Sequence, residues 1–197
     1  MERHKVIFVG DTGVGKTSII RRKKEGLFDY KMLPTVGAAH ELISEFVDDH
    51  EIELCLWDTA GQEQFKSLIP VYFRGAHVAV IVASYADPLS ITNLKKWREK
   101  CDETQNPPTI IIVINKIDIQ EGNFLSLDEL RGQLQQEYPS FFFVSAKNGD
   151  GIDMLFFEIA KAALAYQDTF GLNEKDVKNI GGGAANCATS GKKSECC

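Results

Sequence analysis

Apolar and polar positions along the 197-residue chain follow two rhythms, short β-rich runs and longer segments with helical spacing. The runs Lys5 to Val9, His40 to Val47, Glu51 to Trp57, Val78 to Ser84, Thr109 to Ile114 and Phe141 to Val144 predict strands. Helical spacing over Lys16 to Glu25, Ser90 to Thr104, Ser126 to Tyr138 and Gly151 to Gln167 predicts helices in the gaps, with Pro88 and Pro139 as punctuation. Val78 to Val82 and Ile110 to Ile114 are apolar without a break, so both of their faces must be covered and they belong in the middle of a sheet. Asp48-Asp49-His50 is a tight connection that predicts an antiparallel hairpin between the second and third runs. The expected fold is therefore α/β: a six-stranded, mostly parallel sheet with one antiparallel edge strand and helices on both faces. From Gly171 the pattern stops, and Gly181-Gly182-Gly183 opens a small, polar stretch without a core-forming face. The expected division is one domain over residues 1–170 and a flexible tail over 171–197.

Composition narrows the function classes. A hydrophobic share of 44% with 25% charged residues suits a soluble globular domain with one sizeable core. The net charge of -6 offers no basic surface, which argues against nucleic acid as a partner. Met1 to Lys5 leads into only four strongly apolar residues before Gly10, too few for a signal-peptide core, and no apolar run reaches spanning length. Cys55 and Cys101 sit in patterned segments while Cys187, Cys196 and Cys197 crowd the end, which is not a disulfide framework and fits reduced, cytosolic thiols.

The chemistry begins at Gly10-Asp11-Thr12-Gly13-Val14-Gly15-Lys16-Thr17, between the first strand and the first helix. Glycine backbones can turn successive N–H groups inward, so those of Gly13, Val14, Gly15, Lys16, Thr17 and Ser18 can wrap the oxygens of a di- or triphosphate. Lys16 adds a point charge at the β and γ phosphates, Thr17 offers a hydroxyl to magnesium, and the helix aims its positive end at the same anion. A plain Gly-rich turn would not need the full G-x4-G-K-T spacing. Asp58-Thr59-Ala60-Gly61-Gln62-Glu63 follows the third run, where Asp58 can hold magnesium through water and the Gly61 N–H can approach a γ-phosphate. Gln62 carries both a donor and an acceptor, so it can orient a water for in-line attack.

Asn115-Lys116-Ile117-Asp118 closes the fifth run. A carboxylate only accepts, and guanine presents two adjacent donors where adenine presents an acceptor, so Asp118 selects guanine. Ser145-Ala146-Lys147 follows the last run, where the Ala146 N–H can meet the guanine oxygen. Phe28, just past the first helix, is placed against base or ribose, although such a phenylalanine is more often core.

Over residues 5 to 167, carrying these motifs, the chain resembles a small GTPase of the Ras superfamily. That resemblance makes Thr35, in Pro34-Thr35-Val36-Gly37, a ligand of magnesium and γ-phosphate in the GTP state only. Lys16, Thr35, Gly61 and Gln62 then form the catalytic set, and Thr17, Thr35 and Asp58 the Mg2+ set. Trp57-Asp58, Tyr72-Phe73-Arg74-Gly75-Ala76 and Glu195-Cys196-Cys197 resemble signatures of the Rab branch. Thr35 to Ala39 and Ser67 to Tyr72 are similar to the early-endosomal Rabs in particular. Glu2 stands where the Arf branch needs glycine, and the last four residues lack the C-a-a-X pattern.

A Rab resemblance implies a monomeric switch cycling between GTP and GDP in vesicle or endosomal trafficking. It also implies an exchange factor, an activating protein, a GDP-dissociation inhibitor or escort protein, and effectors on switches I and II. Cys196 and Cys197 would be doubly geranylgeranylated, placing the protein between cytosol and the cytoplasmic face of membranes. Two lipid chains make a stable anchor where one is marginal, and Lys192-Lys193 would add attraction to an anionic leaflet. Four positions depart from Rab habit: Thr12 replaces serine, His40 phenylalanine, Gln64 arginine, and Ala83-Ser84 a Tyr-Asp pair. Two other classes share part of the pattern. A non-cycling scaffold has no use for Lys16, Thr17, Thr35, Asp58 and Gln62 together. A P-loop kinase or ATPase has none for Asp118.

Overall fold

The unbroken apolar runs sit in the middle of the molecule. The computed structural model describes residues 3–31, 33, 35, 38–59, 72–119 and 125–170. Strands β1 (Arg3–Val9), β2 (Ala38–Val47), β3 (His50–Thr59), β4 (Val78–Ser84), β5 (Thr109–Asn115) and β6 (Phe141–Phe143) form one sheet in the order β2-β3-β1-β4-β5-β6. Every neighbouring pair is parallel except β2 with β3, which leaves the antiparallel strand at the edge as expected. Successive strands are added on one side of β1 and then on the other, so the order reverses there. At such a reversal the connections diverge and leave a crevice beyond the carboxyl ends of the strands.

Helices α1 (Lys16–Glu25), α2 (Pro88–Thr92), α3 (Leu94–Asp102), α4 (Leu127–Glu137) and α5 (Ile152–Phe170) cover the two faces. Alternation along the inner strands divides the core in two. Val6, Phe8, Val80, Val82, Ile111 and Val113 pack with Ile19 and Ile20 of α1 and with Leu155, Phe156 and Ile159 of α5. Ile7, Val9, Ala79, Ile81, Ile112 and Ile114 pack with Leu94 and Cys101 of α3 and with Leu130 and Leu134 of α4. The thiols of Cys55 and Cys101 are free and buried, and burial pushes the Cys101 thiol up to about 12.

The segment expected as one helix from Ser90 to Thr104 is two. Asp87 caps α2, its Oδ1 accepting from the backbone N–H of Leu89 and Ser90 at 3.1 and 3.4 Å. Pro88 therefore opens the helix, at a position where its missing N–H costs nothing, rather than preceding it. Asn93, at φ -76 and ψ -9, separates α2 from α3 and turns its side chain toward Asp11. The apolar spacing runs through both pieces and hides the join. Helix α4 starts on a capping box, in which the Ser126 hydroxyl accepts from the Glu129 N–H and the Glu129 carboxylate from the Ser126 N–H. Helix α5 ends at Phe170, and residues 171–197, with Cys187, Cys196 and Cys197, lie outside the described residues. Among the described residues no helix is long and apolar enough to cross a membrane.

The β2-β3 hairpin turns on two residues, Asp48 at φ 48 and Asp49 at φ 63, with Val47 paired to His50. Two left-handed residues in a two-residue loop match the right-handed twist of the strands, and the His50 Nδ1 donates to the Asp48 carbonyl at 2.7 Å. Aspartate tolerates this conformation less well than glycine does. Asp49→Gly is expected to stabilise the fold by about 0.5 kcal/mol, net of the entropy glycine adds to the unfolded chain. A urea midpoint raised at constant slope would show it; an unchanged or lowered midpoint would mean that the turn stores no such strain.

Candidate functional site

The loop after β1 passes so close to its neighbours that two of its glycines admit no side chain. A Cβ on Gly10, at φ +138, would stand 2.1 Å from the Val82 carbonyl oxygen, and one on Gly15, at φ +99, 2.3 Å from Asn115 Nδ2. Gly15 occupies the N-cap of α1, so the first-turn N–H groups of the helix face the loop rather than a capping side chain. Lys16 is buried and folds back beneath the loop, its Nζ donating to the carbonyls of Gly10 and Asp11 at 2.9 Å each. Burial draws its pKa down to about 8, against the opposing pull of Asp58 and Asp11. The Asp11 carboxylate is itself held from α3 and its leading residue: Trp97 Nε1 donates to Oδ1 at 2.9 Å and Asn93 Nδ2 to Oδ2 at 2.7 Å.

Three oxygen-bearing side chains from three distant segments meet beside Lys16. The Thr17 hydroxyl donates to Asp58 Oδ2 at 2.6 Å and lies 2.7 Å from the Thr35 hydroxyl, which is 3.4 Å from the same carboxylate oxygen. Burial raises the pKa of Asp58, while the Thr17 hydrogen bond and the Lys16 charge hold it back. Its Oδ1 is buried without a hydrogen-bond partner among the described residues. A buried carboxylate oxygen left bare next to two hydroxyls is an all-oxygen donor set, which fits a hard divalent cation such as Mg2+. Thr59, next along β3, fixes this end by donating to the Phe8 carbonyl at 2.7 Å.

At the other end Asn115 is buried, donating from Nδ2 to the Val14 carbonyl at 2.9 Å and accepting the Ala146 N–H on Oδ1 at 3.1 Å. The Ala146 N–H, expected from the sequence to meet a guanine oxygen, is thus already engaged within the chain. Lys116, at φ 65, reaches back to the Gly13 carbonyl at 2.7 Å. Ser145 donates to Asp118 Oδ1 at 2.6 Å and accepts the Asn148 N–H at 3.1 Å, while Lys147 Nζ lies 3.9 Å from Asp118 Oδ2. Phe28 meets Tyr30 edge to face, with ring centroids 5.0 Å apart.

These groups surround one cavity of about 390 Å³, a size suited to a small-molecule ligand. Gly13, Gly15, Lys16, Thr17, Ser18, Phe28, Thr35, Asn115, Lys116, Asp118, Ala146 and Lys147 line it. Val14, Asp58 and Ser145 are buried and support that lining from behind. Gly61, Gln62, Cys196 and Cys197 lie outside the described residues, as do Pro34, Val36 and Gly37 of the Thr35 motif. Sequence reasoning missed Tyr30 and Leu33 on the lining, although two large side chains 78% and 85% exposed between helix and strand are what such a lip presents. It also missed the supports Asp11, Asn93 and Trp97, whose partners are 82 and 86 residues apart in the chain.

Comparison with known proteins matches residues 5–165 to the Ras family. The chain is 35% identical over 164 residues to the Ras-related protein Rab5A of Oryza sativa subsp. japonica, covering 83% of this chain and 81% of that one. It is 32% identical over 189 residues to the Ras-related protein Rab5 of Nicotiana tabacum, covering 94% of each. To the Ras-related protein Rab-22A of Mus musculus it is 35% identical over 159 residues, covering 80% of this chain and 81% of that one. The match over residues 5–165 and the 32–35% identity to these relatives, carried on a sheet with a cavity walled by a phosphate-type loop at one end and an acceptor carboxylate at the other, show that the chain belongs to the Ras family, as a Rab-type small GTPase that binds guanine nucleotide and hydrolyses GTP.

Proposed function

We propose that the protein is a switch cycling between GTP and GDP to regulate vesicle traffic on the cytoplasmic face of endosomal membranes. The observation that carries this reading is the contact of the Thr35 hydroxyl with Thr17, 2.7 Å away, beside Asp58. Thr35 comes from the connection leading to β2, so a ligand that engages it decides how that connection sits, which is how a γ-phosphate is reported to a partner surface.

The residues divide the work along the cavity. The N–H groups from Gly13 to Ser18 hold the phosphate chain, and Lys16 places its charge at the β and γ phosphates. Thr17 and Thr35 directly, and Asp58 through water, would hold Mg2+, which when bound withdraws charge from the phosphate oxygens. Gln62 orients the attacking water and Gly61 offers its N–H to the γ-phosphate, so that water adds to phosphorus and GDP leaves with inorganic phosphate as the second product. At the far end Asp118, steadied by Ser145, accepts from the two guanine donors. The Ala146 N–H is shared between Asn115 and the guanine oxygen. Asn115 and Lys116 brace the loop, while Phe28 covers base or ribose and Lys147 screens Asp118.

Cycling requires an exchange factor and an activating protein, with effectors reading switches I and II. The tail from 171 to 197, prenylated at Cys196 and Cys197, tethers the 1–170 domain to the bilayer. A GDP-dissociation inhibitor or escort protein would lift it off. The Rab5 and Rab-22A relatives support the endosomal reading. A scaffold that binds nucleotide without cycling is the weaker reading, since Lys16, Thr17, Thr35, Asp58 and Gln62 are all retained.

Asp118→Asn is expected to reverse base choice, since xanthine carries an oxygen where guanine carries the amino group. GTP affinity falls about a hundredfold and XTP affinity rises. A variant that still prefers GTP in competition binding would overturn the role of Asp118. Unstimulated single-turnover hydrolysis should run on the order of 10⁻⁴ to 10⁻³ per second, as in a small GTPase without a cis arginine finger, and Gln62→Leu should slow it further. An unchanged rate would remove Gln62 from the mechanism. Deleting Cys196 and Cys197 is expected to move the protein from the membrane to the soluble fraction of cells at constant GDP affinity. Persistent membrane recovery would locate the attachment elsewhere.

A further inference from the structure

Helix α1 carries four basic residues in a row toward its C-terminal end, Arg21 to Lys24, and three of them have carboxylate partners. Arg21 pairs with Glu25, Lys23 with Glu45 and Asp153, and Lys24 with Glu41. Arg22 bonds instead to backbone carbonyls. Its Nε donates to Ala146 O at 2.7 Å, its Nη1 to Gly26 O at 2.5 Å, and its Nη2 to Lys147 O. Guanidinium is the side chain suited to this, because its planar fork presents several donors in fixed directions while an ammonium is a single point. The Gly26 carbonyl lies at the C-terminal end of α1, where a cation also offsets the helix dipole. The other two carbonyls belong to the loop whose Ser145 hydroxyl holds Asp118 and whose Ala146 N–H meets Asn115. Gly26 stands two residues before Phe28. One side chain therefore joins the loop on one side of the base end to the turn that presents Phe28 on the other.

We infer that Arg22 is a positioning residue for base recognition: by bridging Gly26 to Ala146 and Lys147 it sets how tightly the nucleotide is held and how sharply guanine is distinguished. It acts through its neighbours and does not touch the ligand. The inference rests on the reading of Asp118 and Ala146 as the guanine contacts given under Proposed function.

The test compares the release of GDP and of inosine diphosphate, which lacks the 2-amino group, from the full chain and its variants. The wild-type chain is expected to release GDP more slowly than inosine diphosphate. Arg22→Ala is expected to speed GDP release about tenfold, as the loss of charge-assisted hydrogen bonds would, and to narrow the GDP to inosine diphosphate ratio. Arg22→Lys keeps the charge at the helix end but not the fork, so it should fall between the two. A ratio unchanged in Arg22→Ala, whether release speeds up or not, would show a general structural staple and overturn the inference. Full recovery in Arg22→Lys would do the same, since charge alone would then suffice. A wild-type chain that releases both nucleotides equally fast would overturn the assignment of Asp118 itself, and this inference with it.

Discussion

A single buried amide, that of Asn115, couples the two ends of the site. Its donor is spent on the Val14 carbonyl in the phosphate loop and its acceptor on the Ala146 N–H in the last loop. A buried amide left half satisfied costs about 1–3 kcal/mol, so neither loop can drift from Asn115 without penalty. The same side chain explains why Gly15 has no alternative, since a Cβ there would stand 2.3 Å from its nitrogen. The loops at the carboxyl ends of β1, β5 and β6 are thereby set to one spacing.

Around that brace the site buries charge of both signs without full compensation. Lys16 is pulled down to about 8 and Asp58 is raised, each chiefly because burial disfavours its charged form. A charged group out of water is costly unless paired, and the bare Oδ1 of Asp58 is part of that cost. A polyanion at Lys16 and a cation at Asp58 would supply the missing partners. Ligand binding in such a site stabilises the fold by mass action.

Of the departures from Rab habit, Gln64 lies outside the described residues, Ala83 and Ser84 are buried in β4, where Ser84 pairs with Asn115, and His40 and Thr12 stand at the surface. His40 on β2 packs edge-on against Trp57, with centroids 4.0 Å apart, and Trp57 in turn lies 6.3 Å from Tyr72 with Lys5 Nζ 4.3 Å from its ring. An imidazole there keeps the aromatic contact while adding polar atoms to an exposed surface, which alters what a partner can bury without disturbing the strand beneath. Thr12 lines the cavity beside Gly13, and its methyl is one group more than a serine would place there. Such changes tune a surface and an entrance.

The sequence by itself determined whatever is written in short-range pattern. Unbroken apolar runs placed β4 and β5 at the centre, the two-residue connection after Val47 made β2 and β3 antiparallel, and the motifs after β1, β3, β5 and β6 marked the site. Each of these depends on residues within a few positions of one another, so periodicity and spacing reveal them. Only the tertiary structure decided the joint at Asn93, the clamp of Trp97 on Asp11, and the bridge from Arg22 to Ala146 across 124 residues of chain. A polar side chain in a helix looks the same whether it faces water or a carbonyl from a distant loop. Folding supplies that carbonyl, and burial makes the hydrogen bond to it obligatory.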